Sequence, residues 1–262
     1  MKTVFATLRR HPIPIRAFFR YSLVLTYAFP KHILQPLLPS GLTVDSYDDT
    51  AFLAIALVQT EALRPAGLPE FLGRDFFLSG YRIFSRFTRP DGKVLRGLRI
   101  LRSDTDSSLM VRAGNLLTHY NYSRCTVEQR RTTTELDLTI NTPNSVADLS
   151  LKAFIGEPVN APPDGSPFPD LKTARHYAGP LPFTFDYEPE THQMVIIEGV
   201  RQNWKPKPVR VEVERCTFLE KPPFNSVLPQ LANAFFIENI PYRWQRGVVE
   251  PLPQEDTCTR AS

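Results

Sequence analysis

The chain is interrupted by 25 prolines but only 12 glycines, and this punctuation constrains the fold more than any other feature. Proline breaks helices and marks turns, so this composition favours short extended segments joined by rigid loops over a helical bundle. The longest apolar run, Ala51–Val58, has the length of a single strand. A membrane-spanning helix needs about 20 apolar residues, so no membrane partner is expected.

Alternation of apolar and polar residues predicts many short strands along the chain. The cleanest example is the segment 209–214, where Val209, Val211 and Val213 alternate with charged residues. Successive side chains of a strand point to opposite faces, so the three valines are expected to face a core.

Turn residues indicate how some of these strands are connected. Asp48-Asp49 predicts one hairpin and Pro90-Asp91-Gly92 a second. Helices are predicted over 31–38 and 171–177, and a third begins at Ser107 or Ser108, since serine is a favourable N-cap. Strands and helices do not alternate regularly, so the pattern predicts an α+β fold, mainly antiparallel β and closed into a barrel.

Composition is that of an ordinary globular protein, with 42% hydrophobic and 22% charged residues. A chain of 262 residues can form one large β domain. We expect a single domain over 11–252, an N-terminal extension over 1–10 and a polar tail over 253–262. The Pro/Asp/Gly/Ser-containing loop 158–169 is the strongest candidate for an internal boundary.

Cysteine usage and the first residues bear on the compartment. Cys125, Cys216 and Cys258 are far apart and odd in number, which favours free thiols in a reducing compartment. The first acidic residue is Asp45, and a basic, acid-free start is also typical of a mitochondrial presequence. We therefore predict a cytoplasmic protein, with mitochondrial import as the alternative.

One segment connects the chain to a known group of enzymes. Residues 111–122 read V-R-A-G-N-L-L-T-H-Y-N-Y. This outline resembles the segment that carries the Schiff-base lysine of acetoacetate decarboxylases, an A-G-R-E helix followed by G-Y/F-P-K-K. Tyr122 and Ser123 stand where that family has its two lysines, and no lysine occurs between Lys93 and Lys152.

The N-terminal half resembles the same superfamily. Residues 37–45, L-L-P-S-G-L-T-V-D, match the motif L-L-P-x-G-L-x-x-D, and His11-Pro12-Ile13-Pro14 matches a short His/Pro element. Both are similar to the YqjF-type family, domain of unknown function 2071. The resemblance implies an acetoacetate-decarboxylase-like curved double β-meander barrel around a central cavity, with a few short helices.

The resemblance also implies where a site would lie and which chemistry is missing. Besides the lysines, the arginine that follows T-Y in the decarboxylases corresponds to Ala28, and the strands 51–60 and 76–81 hold no carboxylate. A Schiff base needs a lysine amine whose pKa is lowered. Schiff-base decarboxylation is therefore not expected.

Five residues in equivalent places remain as candidates. His119 and Tyr122 are the predicted catalytic residues, because buried histidine and tyrosine can transfer protons. Tyr27, Arg82 and Tyr120 are the predicted ligand-binding residues, with arginine suited to a carboxylate or enolate. The alternative is structural, with the tyrosines as core aromatics, His119 as a hydrogen-bonding residue and Arg82 on the surface.

The sequence thus predicts a barrel that binds a small organic, in part anionic, molecule. It would be a cofactor-free proton-transfer enzyme of isomerase or lyase type on an oxo-acid or polyketide-like substrate; a non-catalytic binding or scaffold protein is the alternative. No metal site is expected, because the histidines lack metal-ligand spacing. Residues 74–131 carry twelve Lys/Arg against five Asp/Glu, yet without a nucleic-acid-binding motif they indicate a solvated face or an anionic ligand. Whether the chain forms a homo-oligomer stays open.

Overall fold

The computed structural model describes residues 8–202 and 204–252. The described residues form sixteen strands and three α-helices. The strands are β1 Ile15–Pro30, β2 Leu42–Val44, β3 Ser46–Tyr47, β4 Thr50–Pro65, β5 Arg74–Thr88, β6 Val94–Thr105, β7 Tyr122–Arg124, β8 Thr126–Arg131, β9 Glu135–Asn141, β10 Leu149–Phe154, β11 Phe183–Glu188, β12 Gln193–Arg201, β13 Lys207–Pro208, β14 Arg210–Cys216, β15 Gln230–Trp244 and β16 Val248–Pro251. The helices are α1 Lys31–Leu34, α2 Ser108–Leu117 and α3 Leu171–Ala178, and short 3-10 turns lie at Gln35–Leu37, Glu70–Leu72, Pro143–Ser145 and Phe224–Ser226.

The larger sheet closes on itself. Its strands follow the order β13-β15-β1-β4-β5-β6-β11-β12-β16, and β12 also pairs with β15, so that seven strands form a ring. Most pairs are antiparallel, while β6 runs parallel to β11 and to β7. This is the mainly antiparallel α+β fold that the sequence predicts.

A second sheet, of order β14-β10-β9-β8, packs against the outside of this ring. The core between the two sheets contains Leu23 and Ile55 from the ring and Leu138 and Leu151 from the smaller sheet, all nearly inaccessible to water. One face of β1, β4 and β5 is therefore covered by the smaller sheet, and the other face is directed into the ring.

The predicted local features are found with small changes of boundary. Asp48 has a positive φ in the turn between β3 and β4, and Gly92 has one in the hairpin between β5 and β6. The predicted helix over 31–38 stops at Leu34 and continues as a 3-10 turn, because Pro36 cannot donate the next backbone hydrogen bond. The valines of 209–214 alternate inward with outward charged residues, as predicted.

Three sequence expectations concern the free thiols, the domain boundaries and the absence of a membrane span. Cys125 and Cys216 are buried free thiols, and burial raises the pKa of Cys216 to about 11. Cys258 and the tail 253–262 lie outside the described residues, and the domain boundaries stay a prediction. In the described ranges, no helix is long and apolar enough to cross a membrane.

Candidate functional site

A cavity of about 180 Å³ lies inside the ring. Its wall is mostly apolar, and it is formed by strands of the ring together with α2 and the segment that follows α3. The apolar lining residues include Phe19, Val24, Ala54, Ala56, Val58, Phe76, Leu78, Phe84, Leu98, Ile100, Met110, Leu117, Leu181, Phe235 and Trp244. A concave apolar site with a few polar groups is the usual form of a small-molecule site.

Arg82 is one of two arginines in this wall, together with Arg201. It sits on β5 between Ala54 of β4 and Ile100 of β6. Its guanidinium folds back over Gly80, where a Cβ atom would lie 2.9 Å from Nε. The glycine therefore provides the space that the guanidinium occupies.

The side chain of Arg82 makes no hydrogen bond or ion pair with any described residue, and its Nε is buried without a partner. Burial in apolar surroundings lowers the pKa of Arg82 below its usual value, an effect that Tyr242, Tyr120 and Tyr122 partly oppose. Arginine remains charged in proteins, so this unpaired cation raises the free energy of the folded state.

Tyr122 is held in the cavity wall by the end of α2. The side chain of Asn115 donates to the Tyr122 carbonyl at 2.9 Å and accepts from the Tyr122 N–H at 2.8 Å. Gly114 lies directly under the Tyr122 ring, and a Cβ atom at this position would overlap with it. The Ala-Gly-Asn sequence of the helix thus fixes the tyrosine that follows it.

Tyr120 lines the same cavity, with its ring centroid 6.2 Å from that of Tyr122. Its hydroxyl is buried without a partner. Burial raises the pKa of both phenols well above the usual value. Both phenols are therefore protonated near neutral pH, so that each can donate a hydrogen bond.

His11 also lines the cavity, although no sequence pattern assigned it to the site. Its N–H donates to the Leu117 carbonyl at 3.2 Å, and its carbonyl accepts from Gly247 N–H at 3.0 Å. These bonds hold it at φ 54°, a conformation rarely adopted by residues other than glycine. Its Nδ1 is buried without a partner, and burial lowers the pKa of His11 to about 4.

His119 lies behind the wall and is not among the residues that line the cavity. Burial, with a smaller contribution from Arg9, lowers its pKa to about 4. Asp186 also lies behind the wall: burial raises its pKa to about 6, and its carboxylate pairs with Arg99. The structure thus places the imidazole of His11, and not that of His119, at the cavity wall, and a catalytic role of His119 stays a prediction.

Tyr27 lies on the other face of the sheet. It shares the β1 face of Leu23 and Leu25 and packs in the core between the two sheets, whereas Val24 faces the cavity. The structure therefore does not bring Tyr27 together with Arg82, and a ligand-binding role of Tyr27 stays a prediction. Of the five predicted site residues, the structure brings Arg82, Tyr120 and Tyr122 together.

One end of the cavity is formed by Arg201 and Trp204, which the sequence did not single out. Arg201 donates to the Pro180 and Leu181 carbonyls at 3.0 and 3.2 Å, and its guanidinium lies 4.5 Å from the Trp204 ring centre. Trp204 Nε1 is buried without a partner.

Five residues that line the cavity each carry a buried polar atom without a partner among the described residues. The atoms are His11 Nδ1, Thr60 Oγ1, Arg82 Nε, Tyr120 Oη and Trp204 Nε1. Buried polar groups are normally hydrogen-bonded, so five such exceptions around one cavity require an explanation. No described residue that lines the cavity is Asp, Glu or Lys.

The lowered pKa of His11 predicts how the stability of the fold depends on pH. Its pKa is about 4 in the folded protein and 6.5 in an ordinary environment, so the unfolded chain binds more protons between these values. The stability associated with neutral His11 is present above pH 6.5 and is lost as the pH falls toward 4. Between pH 7 and 5 we expect wild type to lose about 2 kcal/mol relative to His11→Gln.

Urea unfolding at both pH values measures this difference, because effects of the other titrating groups are common to both proteins. His32→Gln, a change of an exposed histidine, is the matched control and should follow wild type. Parallel pH curves for His11→Gln and wild type would contradict a buried neutral imidazole.

The sequence profile of DUF2071, "Uncharacterized conserved protein", matches residues 16–245. The chain belongs to the DUF2071 family. This confirms the family resemblance that the N-terminal motif indicated. No curated protein matches the sequence.

Solved structures that resemble this DUF2071 protein have the acetoacetate-decarboxylase-like fold. Acetoacetate decarboxylase from Legionella pneumophila superposes with a TM-score of 0.62 at 12% identity, covering 91% of this chain and 87% of its own. An acetoacetate decarboxylase-like enzyme from Sphingomonas wittichii RW1 gives 0.60 at 12% identity, covering 92% and 94%. The enduracididine biosynthesis enzyme MppR, complexed with the condensation product of pyruvate and imidazole 4-carboxaldehyde, gives 0.61 at 13% identity, covering 91% and 89%. The predicted fold is confirmed.

Proposed function

We propose that this DUF2071 protein binds a small organic anion in the ring cavity and transfers a proton on it. The proposal is carried by one observation, the unpaired guanidinium of Arg82 in an apolar cavity. A carboxylate that binds it would supply the missing counter-charge, and such a charge-assisted contact contributes roughly 1.5–3 kcal/mol.

The other polar groups suit an oxo-acid. Tyr120 and Tyr122, kept protonated by burial, can donate to a carbonyl oxygen and stabilise the enolate that forms when an α-proton leaves. The neutral imidazole of His11 can accept that proton. His119 and Tyr27 take no part in direct contact in this proposal, because they do not line the cavity.

The similar structures support the ligand class. MppR, with the same fold, is found complexed with pyruvate and with a condensation product of pyruvate. These complexes support an oxo-acid ligand for this chain, and we propose a reaction of isomerase or lyase type without a cofactor.

The second candidate is a binding protein that does no chemistry. The observation that favours it is the near-continuous apolar lining, in which the described residues include no carboxylate and no lysine. Such a protein would use Arg82 for affinity alone.

Proton exchange distinguishes the two candidates. The protein is incubated with 2-oxobutyrate in D₂O, and loss of the C3 proton signal is followed by NMR. Exchange above the buffer rate, lowered by His11→Gln with little change in binding, supports the enzyme. Binding without exchange supports the non-catalytic candidate.

The anion-binding part is tested on Arg82→Met. We expect its affinity for 2-oxobutyrate to fall ten- to hundredfold, because the charge-assisted contact is lost. Arg74→Met on the same strand removes an exposed arginine and serves as the matched control. Equal affinities of wild type and Arg82→Met would contradict the proposed function.

A Schiff-base reaction is not expected in this cavity. Tyr122 occupies the wall where the resemblance places the lysine, and an imine requires a primary amine. Incubation with acetoacetate and borohydride should therefore leave the mass of the protein unchanged. A stable adduct mapped to any lysine would contradict this prediction.

A further inference from the structure

Arg82 is the arginine of the cavity whose side-chain donors are free. It has no partner among the described residues, whereas Arg201 directs two nitrogens to the Pro180 and Leu181 carbonyls. Among the residues of the described ranges that line the cavity, none is an acid that could pair with Arg82 or a lysine that could compete with it. The planar guanidinium matches one carboxylate, and a phosphate would leave further charged oxygens in the apolar part of the cavity without a donor.

The strands beside the guanidinium of Arg82 carry several small residues. Strand register places Val24, Ala56, Gly80 and Ser103 in one row across β1, β4, β5 and β6. Arg82 lies in the next row, directly beside Ala54. The guanidinium covers Gly80, and the small side chains of Ala54 and Ala56 leave open space beside it.

The walls of this space are apolar. Val24, Phe84, Leu98 and Phe235 line the cavity and belong to the same buried cluster as Ala54 and Ala56. The whole cavity measures about 180 Å³. An engineered apolar cavity of about 150 Å³ in another protein binds benzene, so the space admits one aromatic ring or a branched chain of similar size.

We propose that the ligand is a monocarboxylate with an apolar body about the size of an aromatic ring. Its carboxylate binds Arg82, and its body lies on Ala54 and Ala56 between the apolar walls. The inference rests on the proposed anion-binding role of Arg82 and adds the charge and the size of the ligand.

Four probes separate these properties by calorimetry or NMR titration of the full chain. Phenylacetate combines carboxylate and ring, acetate has the carboxylate alone, toluene the ring alone, and phenyl phosphate carries the ring with a dianion. We expect phenylacetate to bind at least tenfold more tightly than each of the other three, because only phenylacetate satisfies the charge and fills the apolar space.

If phenylacetate binds less than tenfold more tightly than acetate, the inferred size of the ligand is wrong. If phenyl phosphate binds as tightly as phenylacetate, the inference of a singly charged ligand is wrong. If toluene binds as tightly, the inference that the ligand needs a carboxylate is wrong. The ratios of wild type decide the proposal by themselves, without any variant.

The position of the ligand's apolar part is tested with a larger side chain on β4. Ala56→Leu adds three carbons in the row beside Arg82, so we expect phenylacetate to bind at least tenfold more weakly and acetate to change less than threefold. Circular dichroism and thermal unfolding report whether the variant folds. An unchanged affinity for phenylacetate, or loss of both acids in a folded variant, overturns the placement on β4.

Failure of this inference can be distinguished from failure of the proposed function. If Arg82→Met binds phenylacetate as tightly as wild type, the anion-binding role itself is lost. If Arg82→Met weakens all acids while acetate and phenylacetate bind wild type equally, the role of Arg82 stands and the inference on ligand size fails.

Discussion

Arg82→Met is expected to raise the free energy of unfolding by about 1–3 kcal/mol while it weakens acid binding. Methionine fills a similar volume in the apolar cavity without a charge that must be stripped of water. The lowered pKa of Arg82, caused by burial, indicates the same penalty. Stability lost to an unpaired charge in the ligand-free protein would be recovered when an anion binds.

Urea unfolding without ligand measures this effect. Arg99→Met, on the neighbouring strand, is the opposite case, because it would leave the buried carboxylate of Asp186 without its cation. We expect that variant to lose about 3 kcal/mol or more. If Arg82→Met were also destabilised, Arg82 would have a structural role and the case for a ligand would weaken.

Val209→Asp is expected to lower the free energy of unfolding by about 3–5 kcal/mol. Val209 is almost fully buried in the core between the two sheets, and its N–H donates to the Ala234 carbonyl at 3.1 Å. An aspartate there would be a charge without a partner, so part of the loss would appear as a raised carboxyl pKa.

Glu212→Ala is the matched control on the outward face of the next strand. Glu212 is exposed and pairs with Arg210 at 2.5 Å, and an exposed pair contributes less than about 1 kcal/mol. Chemical denaturation of both variants is the measurement. If the two variants lose similar amounts of unfolding free energy, the inward position of Val209 and the outward position of Glu212 do not determine stability.

The sequence predicted those parts of the fold that depend on neighbouring residues. Both hairpins were found because turn residues such as Gly92 act within a few positions of themselves. Strand β15 was missed, although it pairs with β1 and β12 and closes the ring. Residues 232–237 are buried on both faces, so they show no alternation, and Asn239 then interrupts the strand with a positive φ.

In the candidate site too, the sequence identified residues that lie near a local motif and missed those positioned by distant segments. Tyr120 and Tyr122 follow a recognisable helix, and Arg82 lies on the first strand of a recognisable hairpin. Tyr27 was named from the family resemblance alone, which does not show that a register shift between Phe19 and Tyr21 changes which side chains of β1 face the ring. His11 could not be found locally, since Leu117 and Gly247, distant in sequence, fix its position.

The position of β15 in the chain has a consequence for how the cavity comes into being. This strand supplies Phe235, Tyr242 and Trp244 to the wall, and it joins β1 on one side to β12 on the other. A nascent chain leaves the ribosome from its N-terminus, so β1 must wait with an unpaired edge until residues 230–244 have emerged. The cavity therefore stays incomplete until β15 has emerged and docks between β1 and β12.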